Sequence, residues 1–149
     1  AALGPRMLGL ARDRSAGAHP YLVTPAHTAE ARSVLGPAAV LAPEQPVVLE
    51  RDAGSARAVA RQHLAIYLQL PNYVRNLRRL GFTAEDVGGI GSDRLVDGVV
   101  AWGDEAAITR RVRDHLDAGA DHVCVHVAAP DPRVGPRQAW RDLAPALLG

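Results

Sequence analysis

The residues best suited to chemistry in this sequence form a Gly-Pro step, Gly4-Pro5, at the start of a predicted helix. Gly4 lets the backbone approach a ligand closely, and Pro5 suits the first helical position because that position needs no N–H donor. The amides of Gly4, Arg6 and Met7 are then left without helical partners at the positive end of the helix dipole. Exposed donors at such a place bind phosphate groups. The step therefore predicts an anion site, to which Arg6 adds a positive charge, and a plain strand-to-helix turn is the alternative.

Three polar rings follow at the end of a strand predicted over residues 18–23. His19 and Tyr21 fall on the same face of that strand, and His27 lies in the first turn of the next helix. In parallel α/β folds, ligands bind at the carboxyl ends of the strands. We therefore expect His19, Tyr21 and His27 to contact a substrate or a cofactor. For His19 and Tyr21 the alternative is a packed pair of rings whose polar tips are satisfied.

His122, Cys124 and His126 alternate along another predicted strand, over residues 122–127, and so share one face. Imidazole and thiolate are both zinc ligands. Same-face neighbours are about 6.5–7 Å apart along a strand, so three in a line do not readily surround one ion. We expect no metal here, and no general acid or base for catalysis can be assigned. No nucleophile-elbow, P-loop or dinucleotide-binding motif is present in the sequence.

Composition excludes several classes of function. The 149 residues carry a formal net charge of +1, and all 17 basic residues are arginine, so no electrostatic argument favours nucleic acid or an anionic membrane. The single cysteine excludes an internal disulfide and fits the reducing cytoplasm. No apolar run approaches 18 residues, so no membrane span is expected.

Helical patterns alternate with short apolar runs along the chain, which predicts parallel strands joined by right-handed crossovers. The sequence opens with the tail of a predicted strand. It has no start methionine, from which we expect the chain to be part of something larger. Predicted helices cover about residues 6–14, 25–35, 53–70, 72–80, 93–101, 105–117 and 137–147, with a short capped turn after Thr83. Predicted strands cover 18–23, 47–50 and 122–127, and the long interval between the last two predicts a helical insertion.

Several segments, in this order, resemble the luciferase-like monooxygenase family, and more closely its branch that uses the deazaflavin coenzyme F420. Residues 1–25 (AALGPRMLGLARDRSAGAHPYLVTP) are similar to the family's strand, Gly-Pro turn and helix that hold the cofactor phosphate. Residues 102–105 (WGDE) and 118–123 (AGADHV) resemble its helix that leads into the last barrel strand. Residues 41–49 (LAPEQPVVL) and 70–73 (LPNY) resemble intervening segments.

The resemblance implies an α/β fold: the C-terminal half, about strands five to eight, of a (β/α)8 TIM barrel, with residues 1–149 as a single partial domain. A complete barrel needs about 250 residues, so this length is roughly half of one. It also implies hydride transfer between reduced coenzyme F420 and a small organic substrate, with Leu3, Gly4, Pro5 and Arg6 at the cofactor phosphate. The alternatives are an FMN-dependent monooxygenase of the same family and a non-catalytic half-barrel. We expect a half-barrel to form homo-oligomers or to associate with a separate N-terminal half.

Overall fold

The protein is described by a computed structural model that covers residues 2–131 and 133–148. Its helices are α1 (Pro5–Arg14), α2 (Pro25–Leu35), α3 (Ala53–Leu64), α4 (Pro71–Arg79), α5 (Ala84–Val87), α6 (Asp93–Val99), α7 (Glu105–Asp117) and α8 (Arg137–Leu148). Its strands are β1 (Gly17–Ala18), β2 (Val40–Leu41), β3 (Glu44–Leu49), β4 (Ala101–Gly103) and β5 (Cys124–Val127). A 3-10 turn, Tyr67–Gln69, lies between α3 and α4.

Most helices begin at a polar side chain that accepts a hydrogen bond from the first turn, which satisfies an otherwise free amide. Asp52 starts α3 and Asp104 starts α7 in this way. Thr83 and Asp86 form the capping box that the sequence predicts. Thr24 starts α2, which ends at Gly36 as predicted. These caps determine the residue at which each of these helices begins.

All strand pairs are parallel, as predicted. β2 and β3 are successive parts of one extended segment, which has β1 on one side and β5 on the other. The Glu44 amide donates to the carbonyl of Pro20, which joins the two small sheets. β4 pairs with the last three residues of β3. The strands therefore form one layer of parallel neighbours, as in an arc of a barrel.

The structure corrects several strand predictions. Ala2 and Leu3 are not in a strand, and only Gly17–Ala18 of the predicted strand 18–23 pairs with a neighbour. Pro20 has no N–H to donate, which weakens pairing beyond that point. The predicted helix 93–101 ends at Val99, because the chain leaves it to form β4, which the sequence analysis did not predict.

The predicted long helix 53–70 is likewise divided. α3 ends at Leu64, and the 3-10 turn precedes Pro71, the first residue of α4. A helical insertion was predicted between the strands 47–50 and 122–127; helices α3 to α6 lie in that interval, but β4 divides it and α7 follows β4. No helix among the described residues combines the length and the apolarity that a membrane span requires.

Alternate residues of β3 serve two different cores. Val48 packs with Leu3, Leu22 and the insertion helices on one face, which we call the inner face. Val47 packs with Ile108 of α7 and Leu143 of α8 on the other, the outer face. Since side chains alternate along a strand, Glu44 belongs to the inner face and Gln45 to the outer face.

Candidate cofactor and substrate site

The amino end of α1 offers free hydrogen-bond donors. Gly4 is the N-cap residue, its backbone is extended (φ −93°, ψ 163°), and no side chain caps the helix. Pro5 occupies the first helical position as predicted. Within the described residues, the amides of Arg6 and Met7 have no hydrogen-bond acceptor. α4 also begins at a proline without a cap, but there the Tyr73 amide donates to the Leu70 carbonyl.

Open space surrounds this turn. A Cβ added at Gly4 would meet no atom within 4 Å, so a ligand can approach the backbone there. The guanidinium of Arg6 is exposed and forms no ion pair with any described residue. Leu3, the fourth residue predicted to contact a phosphate, is buried in the inner core. Its packing in the core fixes the position of the turn that follows it.

His27 holds Leu3 in place. Its ring is fully buried, and Nε2 lies 2.7 Å from the Leu3 carbonyl oxygen, which also accepts a hydrogen bond from Arg79. Burial lowers the pKa of His27, so the ring is neutral and Nε2 carries the donated hydrogen. Its Nδ1 has no partner among the described residues. This geometry gives His27 a positioning role, and contact with a substrate stays a prediction.

His19 and Tyr21 lie together in an extended segment just after β1, not within the strand as predicted. Their rings meet edge to face with centroids 4.7 Å apart, and His19 Nδ1 hydrogen-bonds the carbonyl of Ala42. Both rings line a cavity of about 650 Å³ that Ala2 and Met7 also line. Gly4, Pro5 and Arg6 are not among its lining residues, so the turn lies at the edge of this cavity, next to Met7.

The next residue, Leu22, has a positive φ of 56° although it is not glycine. Its side chain is 1 % exposed and packs in the inner core beside Leu3. A non-glycine residue adopts this conformation only where the surrounding packing enforces it. This strained residue directly follows Tyr21, which lines the cavity.

A second cavity of about 600 Å³ lies beside β5. Glu44, His63 and His126 form its polar end. The nearest atoms of Glu44 and His126, Oε1 and Nδ1, are 3.9 Å apart, and the rings of His126 and His63 are 4.7 Å apart. Burial raises the pKa of Glu44, and burial beside His126 lowers that of His63 to about 4. This cluster was not predicted from the sequence.

Comparisons with known proteins identify the fold. No family model and no curated protein sequence matches the chain. Among solved structures, a coenzyme F420-dependent tetrahydromethanopterin reductase from Methanopyrus kandleri matches with a TM-score of 0.70 and 18 % identity. An F420-dependent secondary alcohol dehydrogenase, solved in complex with an F420-acetone adduct, matches with a TM-score of 0.65 and 14 % identity. The chain has the fold of these enzymes.

The match covers nearly the whole of this chain but only part of each enzyme. It includes 96 % of this chain and 47 % of the reductase, and 97 % of this chain and 46 % of the dehydrogenase. The chain thus spans about half the length of each solved structure. Both this coverage and the parallel strands fit a half-barrel.

One signal in the sequence could have identified Glu44. It is the first residue of β3, in the segment APEQPVVL, and it is the one ionisable residue of that strand. The neighbouring His122, Cys124 and His126 attract attention first because of their spacing. His126 and Cys124 do line the cavity. Among the described residues, no group of three His, Cys, Asp or Glu side chains is arranged to hold a metal ion.

Proposed function

We propose that this chain supplies the C-terminal half, about strands five to eight, of the barrel of a coenzyme F420-dependent oxidoreductase, with residues 1–149 as one partial domain. The observation that carries the proposal is the likeness to two F420-dependent enzymes over 96–97 % of the chain. The uncapped amino end of α1 beside a cavity supports it independently. The single cysteine, Cys124, favours a cytoplasmic location. The net charge of +1 favours an enzyme that acts on a small molecule and not on a nucleic acid.

The residues at the turn fit a phosphate-bearing cofactor. The amides of Arg6 and Met7 donate to the phosphate, Gly4 leaves room for it, and Pro5 starts the helix whose dipole favours negative charge. Arg6 adds a charge-assisted contact from its exposed guanidinium. Leu3 and His27 hold the turn at its position. When bound, coenzyme F420 supplies the hydride chemistry of its deazaflavin ring.

The substrate side of the site is formed by His19 and Tyr21. Both rings line the cavity next to the turn, so they border a small organic molecule placed there. His19 is exposed and oriented by its bond to the Ala42 carbonyl, and Tyr21 packs against it. These two rings orient the substrate and exclude water from one wall. No described residue of this half is assigned as the acid or base of catalysis.

Cofactor titration tests this proposal. F420 and FMN are added separately to the protein, and binding is followed by the fluorescence of each cofactor. We expect saturable F420 binding, and tighter binding of FMN would instead favour the FMN-dependent monooxygenase. Gly4→Glu adds a bulky, negatively charged side chain that repels the cofactor phosphate. The affinity for F420 should therefore fall at least about tenfold, equivalent to about 1.4 kcal/mol.

The same helix offers a matched control. Gly9 is also open at its Cβ position, with no atom within 4 Å, and it does not line the cavity. Gly9→Glu introduces the same charge five residues later and should leave F420 affinity unchanged. Equal loss in both variants, or no loss in either, would contradict the assigned anchor.

We also propose that the two open sides of the strand layer associate, either with a second copy or with a separate N-terminal half-barrel. Each side carries a cavity and exposed apolar residues: Met7 and Leu10 of α1 on one side, and Val134, before α8, on the other. Exposed apolar surface of this kind favours association. Light scattering should give a mass above 15.8 kDa for the chain alone. A stable monomer at micromolar concentration would contradict self-association.

A further inference from the structure

The side chain of Glu44 is largely buried, and its carboxylate lines the cavity without a hydrogen-bond partner. The residue is 8 % exposed, yet its side chain accepts no hydrogen bond from any described residue. The nearest group able to carry positive charge, His126 Nδ1, lies 3.9 Å from Oε1, beyond hydrogen-bond distance. A largely buried carboxylate that lines a cavity without a protein partner is available to a ligand of opposite charge.

The protein provides no permanent positive charge at this position. The chain contains no lysine, and no arginine is among the described residues that line the cavity. His63 is neutral at neutral pH, since its pKa is about 4, and its Nε2 is also buried without a partner. His126 is half-exposed. A permanent positive charge beside Glu44 would therefore come from outside the chain.

Aromatic rings continue from the carboxylate into the inner core. The ring centroids of His63 and Tyr67 are 5.4 Å apart, and those of Tyr67 and Tyr73 are 4.9 Å apart. Burial and the charge of Glu44 both raise the pKa of these two tyrosines, which places the carboxylate within electrostatic reach of both. Neither tyrosine lines the cavity, where the rings beside the carboxylate are those of His126 and His63. A carboxylate beside such rings suits an organic ammonium ion.

The remainder of the cavity is apolar. Its wall includes Val59 of α3, Val127 of β5, Val134 before α8 and Trp140 of α8. A volume of about 600 Å³ lies within the range of small-molecule sites. We propose that this cavity binds a small organic ammonium ion, with the charged group against Glu44 and an alkyl body against Val59 and Trp140. The site is distinct from the cofactor turn and does not depend on the proposed function.

Calorimetry with butylammonium chloride tests the site. At pH 8 an alkyl ammonium group is still charged, because its pKa is about 10. We expect saturable binding to the wild-type chain, and at least tenfold weaker binding of butan-1-ol, which has the same alkyl body without the charge. Equal affinity for the two compounds, or no saturable binding of butylammonium, would overturn the proposal without any variant.

Two variants locate the charge. Glu44→Gln removes the carboxylate with little change in size and should weaken butylammonium binding at least tenfold. Glu85→Gln removes an exposed carboxylate on α5 and should leave the affinity unchanged. Unchanged binding in Glu44→Gln would overturn the assignment, as would equal weakening in both variants.

A spectroscopic readout locates the alkyl body. Trp140 lines the cavity, whereas Trp102 lies elsewhere, with its indole nitrogen donating to Asp97. The indole N–H resonance of Trp140 should therefore shift on addition of butylammonium, and that of Trp102 should not. A shift confined to Trp102 would contradict the site.

Discussion

Two neighbouring residues of β3, Glu44 and Gln45, are both buried but differ in how their polar atoms are satisfied. Gln45 points to the outer face, where its Oε1 accepts from His115 Nε2 at 2.9 Å and its Nε2 donates to the carbonyls of Pro46 and Val99. His115 Nδ1 in turn accepts from the Thr28 hydroxyl at 2.8 Å. Glu44 on the inner face has no such bond.

This difference separates structural polar groups from groups available to a ligand. The outer network links α2, β3 and α7 through fully paired donors and acceptors, so it stabilises the layer of helices on the sheet. On the inner face, the buried Nε2 of His63 has no partner, and the carboxylate of Glu44 lines the same cavity without a hydrogen bond from any described residue. Polar groups left unpaired next to a cavity reduce stability and are typical of binding sites.

The largest expected effect comes from breaking the outer network. His115→Ala leaves a cavity and removes a partner from both Gln45 and Thr28, so the free energy of unfolding should fall by about 3 kcal/mol. Urea denaturation followed by circular dichroism measures this. His122→Ala, at an exposed position, is the control and should change stability by less than about 0.5 kcal/mol. A similar small effect in His115→Ala would contradict a structural role for the network.

The second effect is a pH dependence from the same residue. Burial lowers the pKa of His115 to about 4, so between about pH 4 and pH 6.5 the unfolded chain binds a proton that the folded chain does not. Stability therefore rises with pH through this window, and His115 should contribute a loss of about 2 kcal/mol on going from pH 7 to pH 5. Denaturation of wild-type and His115→Gln at both pH values isolates the difference. Parallel losses in the two proteins would show that His115 does not titrate in this way.

The smallest effect has the opposite sign and concerns the inner face. Glu44→Leu replaces an unpaired buried carboxylate by an apolar side chain, so the free energy of unfolding should rise by about 1 kcal/mol. Gln45→Leu, one residue later, should lower it, because His115 then loses its acceptor. If Glu44→Leu were instead destabilising by as much as Gln45→Leu, the two faces would not differ as described.

Much of the helical framework could be predicted because its signals are local. Thr24-Pro25 and Gly36 fixed both ends of α2, and Asp104 fixed the start of α7. The short strands β2 and β4 could not be predicted, since they exist only through pairing with β1 and β3. Ala101, for example, follows a helical pattern in the sequence but pairs with Val47 in the structure.

The candidate site was predictable in part. The Gly4-Pro5 turn is visible in sequence because glycine and proline at a helix start have specific backbone consequences. That Met7, His19 and Tyr21 border one cavity depends on the fold around them. Glu44 was missed because the sequence does not show whether a carboxylate has hydrogen-bond partners. That depends on the side chains that the fold places around it.

The most direct test of the central claim follows the backbone amides at the amino end of α1. Coenzyme F420 is titrated into the ¹⁵N-labelled protein, and amide shifts are compared between α1 and α2. The amides of Arg6 and Met7 should shift most, whereas the His27 amide, already bonded to the Thr24 hydroxyl, should shift little. Saturable F420 binding that leaves Arg6 and Met7 unshifted would contradict the account.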